Sequence, residues 1–264
     1  MTGTEHLSFD RVGAVAVVTM NRPEAKNALS LPMLVGMADA WEEIDGDDSI
    51  RCAVLTGAGG SFCSGMDLKS MSGPEAEPYK HRLEADPDLH WKALLRQYSL
   101  GKPLIAAVEG WAVAGGTEIL QATDIRVAGE SARFGLFEAR RGLFPLGGST
   151  VRLRRQVPFT VAMDMLLTAR EVSAEEALAI GLIGKVVPDG TALDAALSTA
   201  EAVCANAPLS VEAIKRSVRE TESMPEEEAL RVELEIGMPI FATQDAAEGQ
   251  RAFAEKRPPR FERR

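Results

Sequence analysis

The sequence predicts an α/β fold built on a mostly parallel sheet, and three observations carry that expectation. Short β-rich runs recur through the first half, each closed by glycine or proline. Helix-compatible stretches separate them. The chain has 264 residues, 45% hydrophobic and 26% charged, which suits one sizeable core domain. Such alternation favours parallel strands with crossover helices, and ligands then collect beyond the strands' C-terminal ends.

Val15–Met20 is β-rich and stops at Asn21-Arg-Pro23. Leu31, Leu34, Ala38, Trp41 and Ile44 recur at helical spacing, so a helix follows. Cys52–Thr56 predicts a second strand ending at Gly57-Ala-Gly-Gly60, Leu104–Val108 a third and Ile125–Ala128 a fourth. Between them, residues 71–100 are charged and interrupted by Pro74, Pro78 and Pro87, predicting a mobile loop and then a helix from about Leu89. From Phe159 onward helices predominate. Ser173-Ala-Glu-Glu176 has the form of a capping box, Gly181 and Gly184 mark a stop, and helices are expected near 191–204, 209–222, 226–236 and 243–255. No repeat of fixed period is visible.

Composition narrows the function classes. A net charge of −10 disfavours general affinity for nucleic acid or anionic membrane. No apolar stretch approaches the about 18 residues of a membrane span. The N-terminus lacks the basic and apolar regions of a signal peptide. Three cysteines, Cys52, Cys63 and Cys204, form no CxxC pair, which favours a reducing, cytoplasmic setting. Positive charge gathers locally in the tail from Glu255 to Arg264 and in the neighbourhood of Arg22 and Lys26.

Two glutamates carry the chemical signal. Glu118 lies in Ala112-Val-Ala-Gly-Gly-Thr-Glu118, after a buried-strand pattern; Glu138 lies in Phe134-Gly-Leu-Phe-Glu138, before Gly142-Leu-Phe-Pro145-Leu-Gly-Gly148. Two carboxylates on separate loops facing one cavity can hold a water, one acting as base while the other keeps its proton as acid. That pairing suits adding water across an activated double bond. Gly115 at a helix start, and Met66 in Cys63-Ser-Gly-Met66-Asp-Leu-Lys69, offer backbone N–H donors for a developing oxyanion. Each signal has a bland alternative: close packing for the glycines, dipole complementation for Glu118, a surface position for Glu138. Competing chemistries lack their motifs. There is no HExxH, GxSxG, GxxxxGK[ST] or post-strand GxGxxG, and His6, His81 and His90 stand outside any glycine turn.

Taken together, Met20–Leu29, Ser61–Leu68, Lys102–Gly110, Ala114–Glu118, Asp124–Ala128, Phe134–Glu138 and Gly249–Arg257 resemble the crotonase superfamily, and within it the enoyl-CoA hydratases, nearly end to end. The resemblance implies a ββα spiral core over 1–195 and a helical trimerisation region over 196–264, assembled as a homotrimer or dimer of trimers. It implies an acyl-CoA thioester substrate of fatty or bulkier type, with no metal and no cofactor beyond the coenzyme A that is part of the substrate. The carbonyl oxygen would be held by the N–H groups of Met66 and Gly115, with Glu118 and Glu138 catalytic. Coenzyme A would lie along Lys26, Ser64, Gly65, Asp67, Leu68 and Lys69, and Phe253 and Lys256 would reach a neighbouring subunit's coenzyme site. Departures are visible: Phe137 stands where many members carry proline, Arg140-Arg141 replaces an apolar pair, and Ala114 replaces a common third glycine. The pattern is most similar to an actinobacterial branch that includes members handling steroid-derived thioesters. Double-bond isomerisation, a non-catalytic acyl-CoA-binding role and nucleic-acid binding are the alternatives. Glu118 favours hydration over isomerisation, and the charge disfavours the last.

Overall fold

The computed structural model describes residues 3–67, 69–70 and 73–264. In chain order the strands are β1 (Leu7–Val12), β2 (Val15–Met20), β3 (Cys52–Gly57), β4 (Leu104–Val108), β5 (Trp111–Val113), β6 (Ile125–Gly129), β7 (Arg133–Gly135), β8 (Val172–Ser173) and β9 (Lys185–Val187). One sheet runs β1-β2-β3-β4-β6-β9, parallel from β2 onward, with β1 and β2 an antiparallel hairpin. A smaller sheet runs β5-β7-β8. Isolated bridges Leu29↔Met66 and Cys63↔Ala112 extend its pattern back toward the N-terminus.

These pairings form a spiral. β2, β3, β4 and β6 each lay one strand in the large sheet. The chain then crosses to the smaller layer, at Leu29, at Cys63 to Met66, at β5 and at β7, before a helical segment returns it. The large-sheet strands begin at residues 15, 52, 104 and 125, so the turns differ greatly in length. This explains why no fixed period is visible in the sequence: the repeat is one of backbone path.

Strand residues divide by parity. Ala53, Leu55, Leu104, Ala106 and Val108 enter the main core; Cys52, Val54, Ile105 and Ala107 enter a second core on the opposite face. A parallel sheet covered on both sides needs such uninterrupted apolar strands. Helix α1 (Leu31–Gly46) covers the first face with the five expected positions all buried, and the Ser30 side chain caps it by accepting from Met33 N–H. In the second half come α6 (Phe159–Thr168), α7 (Ala174–Ala179), α8 (Ala192–Cys204), α9 (Pro208–Thr221), α10 (Glu226–Gly237) and α11 (Gln244–Ala254). Ala192, Ala196 and Ala200 of α8 lie one turn apart and seat that helix on the second face. The expected division at 195/196 falls inside α8.

Two expectations are refined. Residues 74–100 are not loop as far as Leu89. A 3-10 helix (Pro74–Tyr79), α2 (Lys80–Ala85) and α3 (Leu89–Ala93) follow in succession: Pro74 sits in a first turn, where proline is tolerated, Pro78 lies inside the 3-10 helix, and Pro87 falls between α2 and α3. This segment is fastened to α1 where Trp41 Nε1–H donates to Ala93 O at 2.9 Å. The capping box is only half made. Ser173 Oγ accepts from Glu176 N–H, but the Glu176 carboxylate turns to Arg170 instead.

Candidate active site

Helix α4 (Gly115–Leu120) begins where β5 ends, and its first turn holds the site. Thr117 fixes it: its buried hydroxyl lies between the carbonyls of Ala112 and Gly135 and accepts from Gly135 N–H. The two glycines do different work. A Cβ on Gly116 would stand 2.3 Å from Cys63 O, so this glycine allows close packing. A Cβ on Gly115 would stand 3.6 Å from Met66 N, and one on Gly65 would stand 3.2 Å from Gly115 N. The Met66 and Gly115 amides therefore share one wall. Neither N–H has an acceptor among the described residues. Gly65 makes this turn at φ +94°, and Ala114 occupies φ +50°, a conformation that favours glycine.

Glu118 is only 5% exposed. Burial raises its pKa, but several donors oppose that rise: the N–H groups of Gly147 and Ser149, the Ser149 hydroxyl and, through space, the charge of Arg152. Ser149 N–H lies 3.4 Å from Glu118 Oε1. Gln121 Nε2 donates to Ser149 Oγ at 2.8 Å, which leaves the hydroxyl proton free for the carboxylate. Ser149 opens α5 (Ser149–Gln156), so a helix start supplies these donors.

Glu138 begins a 3-10 turn, Glu138–Arg141, closed by Gly142 at φ +67°. Its Oε2 is buried with no partner among the described residues. Burial pushes its pKa up to about 7, and the negative charge of Glu118 adds to the rise, while its own backbone N–H and Arg141 oppose it. The two acids thus sit within each other's field in unlike surroundings, one well supplied with donors and one starved of them. Phe137, just before it, folds its ring over Gly135, with the Arg140 guanidinium 5.0 Å from the ring centre.

The expected coenzyme residues divide into groups. Lys26, at φ +49°, and Ser64 meet: Ser64 N–H donates to Lys26 O at 3.0 Å, and Ser64 Oγ–H to Ala25 O at 3.1 Å. Buried Asn27 ties this corner down by donating to the carbonyls of Ala58 and Ser61. Lys26 Nζ lies 5.5 Å over the Trp111 ring. Asp67 faces its own loop, ion-paired with Arg22 and accepting from the N–H groups of Lys69 and Ser70. Leu68 lies outside the described residues. Phe253, on α11, is 88% exposed, and Lys256 follows that helix.

Sequence reasoning missed Gly147, Ser149, Gln121 and Arg152. The Gly147-Gly148 turn was visible, but beside Glu138, whereas the fold brings it against Glu118: a Cβ on Gly147 would stand 2.6 Å from Glu118 Oε2. Among the described residues no helix is long and apolar enough to cross a membrane.

The chain is similar to known proteins along nearly its whole length. The family model described as "Enoyl-CoA hydratase/isomerase" matches residues 10–264. The chain is 56% identical over 256 residues to the enoyl-CoA hydratase EchA19 of Mycobacterium tuberculosis, covering 97% of this chain and 96% of that protein. It is 40% identical to the (E)-benzylidenesuccinyl-CoA hydratase of Thauera aromatica, covering 94% and 95%. The crystal structure of an enoyl-CoA hydratase from Mycobacterium tuberculosis superposes with a TM-score of 0.89 at 38% identity, covering 98% of this chain and 99% of that one.

Proposed function

We propose, from the premise that this chain belongs to the enoyl-CoA hydratase/isomerase family, that it hydrates the 2,3 double bond of an enoyl-CoA thioester. The observation that carries this reading is the unlike pair of acids, Glu118 buried and Glu138 half-buried with its Oε2 enclosed, near two backbone N–H groups without an acceptor among the described residues.

The thioester carbonyl oxygen accepts from Met66 and Gly115 N–H. Glu118, whose donors oppose the rise in pKa that burial imposes, takes a proton from a water as that water's oxygen bonds to C3. The π electrons move toward the carbonyl, and the two N–H groups stabilise the enolate-like charge, each worth about 2.7–4 kcal/mol of barrier. Glu138, protonated near neutrality, delivers its proton to C2. One water is thereby added, and the proton on Glu118 returns to Glu138 directly or through solvent before the next turnover. The step balances without a metal or redox cofactor; coenzyme A is carried by the substrate.

Lys26, Ser64, Gly65 and the neighbouring loop form the coenzyme corner in this reading, Lys26 meeting phosphate charge. Asp67 acts there through its loop's shape. Phe253 and Lys256 serve a neighbouring subunit in a homotrimer or dimer of trimers, a role supported by their exposure, Phe253 on α11 and Lys256 just beyond it. Three free cysteines fit a cytoplasmic setting.

The test is a product assay on a short enoyl-CoA with Glu118→Gln and Glu138→Gln. Wild type should form 3-hydroxyacyl-CoA, and each variant should fold but lose most of that activity. A shifted enoyl product from wild type would point to isomerisation instead, and full activity in both variants would end the two-acid mechanism.

A further inference from the structure

We propose that Arg152 is a positioning residue for Glu118: its guanidinium clamps the Gly147–Gly148 turn that faces the carboxylate and sets a positive charge beside it. The geometry that points there is a turn shared by two side chains. On one side of it, Glu118 Oε2 stands 2.6 Å from where a Gly147 Cβ would be. On the other, Arg152 Nη1 stands 3.2 Å from where a Gly148 Cβ would be. Gly148 has φ +120°, a second reason for glycine at that position.

Arg152 donates from Nη1 to Gly147 O at 3.4 Å and from Nη2 to Leu95 O. The carbonyl of the very residue whose N–H serves Glu118 is thus held from α5. Leu95, itself at φ +52°, belongs to the segment after α3, so one guanidinium spans from that wall to the acid's turn. Arg152 is half-buried and, among the described residues, makes no ion pair with a carboxylate. Placing a cation out of water without a contacting anion is costly, so its charge must be balanced through space. The groups within its field are Glu118 and Glu222, which favour it, and Arg219 and Arg96, which oppose it. Around Glu118 the charged groups are Arg152 from α5 and Glu138 from the 3-10 turn, with Arg141 facing Glu138. Among these, Arg152 is the cation acting on Glu118 itself.

An opposite charge lowers a carboxyl pKa, so removing Arg152's charge should raise that of Glu118. Arg152→Gln keeps a donor for the turn and loses the charge; Arg152→Lys keeps the charge and loses the fork. Two readouts apply to the full chain. The Glu118 carboxyl is titrated directly by carbon-13 NMR, its signal assigned by its loss in Glu118→Gln. The pH profile of kcat/KM is measured on a short enoyl-CoA. In Arg152→Gln the titration and the acidic limb should both move up, with kcat down at least tenfold and KM little changed. In Arg152→Lys the titration should stay near that of wild type while kcat falls in part.

A Glu118 titration unmoved in Arg152→Gln, with equal losses of kcat in both variants, would reduce Arg152 to a structural clamp and overturn the proposal. Should the glutamine variant fail to fold, Arg152→Lys decides: unchanged kcat and an unchanged acidic limb overturn it. The kinetic arm rests on the hydratase reading, whereas the titration does not. A wild-type protein that hydrates no enoyl thioester defeats that reading and leaves the carboxyl titration to judge Arg152.

Discussion

Replacing Gly147 with alanine should disable Glu118, the base of the proposed mechanism, without unfolding the protein. The added Cβ would stand 2.6 Å from Glu118 Oε2, 2.8 Å from Cδ and 3.0 Å from Cβ. Ordinary contact begins near 3.4 Å, so the carboxylate must retreat by roughly 0.8 Å, the difference between those distances. It has little room, being 5% exposed on a helix pinned by Thr117. Any retreat also breaks the Ser149 N–H contact, which at 3.4 Å is already long. Misplacing a reacting group by about 1 Å costs on the order of 100-fold. The expected fall in kcat is therefore about 10- to 100-fold, or about 1.4–2.7 kcal/mol of barrier. The backbone at 147 is not in the left-handed region, so alanine can adopt it. Gly46→Ala is the control, since a Cβ there meets nothing within 4 Å. The assay follows loss of conjugated enoyl absorbance, with thermal unfolding alongside. A folded Gly147→Ala protein with kcat within twofold of wild type would refute the placement of Glu118 as base.

Two further outcomes follow from the same coordinates. Glu138 has its folded pKa raised from 4.5 to about 7, so the native state binds more protons than the unfolded state between those values. Stability should fall as pH rises across that window, by about 1–3 kcal/mol, and Glu138→Gln should remove the dependence. Parallel denaturation midpoints for the two proteins from pH 4.5 to 8 would contradict this. For assembly, Phe253 at 88% exposure is the most exposed large apolar side chain among the described residues. Sedimentation equilibrium should give a trimer or twice that mass, and a monomer would remove the neighbouring-subunit role of Phe253 and Lys256.

How far the sequence reaches can be judged residue by residue. The strand at Cys52–Thr56 and the helix facing Trp41 were legible because periodicity reports burial directly. The short strands β8 and β9 were not, since two or three residues carry no period. The Gly115 turn was legible as a place of close backbone approach because glycine marks such places. Yet Gly116, beside it, proved to be there for packing against Cys63 O, a distinction no single sequence can draw.

By itself the sequence determined which groups were available: two glutamates near glycine turns, two candidate amides and a sheet to carry them. These are local properties, fixed by residue type and by neighbours within a turn or two. Tertiary structure alone decided how unlike the surroundings of the two glutamates are. Glu118 receives its donors from Ser149, 31 residues away, and from a turn that in the sequence adjoins the other acid. Folding leaves Glu138 Oε2 buried without a partner among the described residues, which pushes its pKa up. Protonation depends on the field of whatever lies within a few ångströms, and that set of neighbours exists only once the chain has closed on itself.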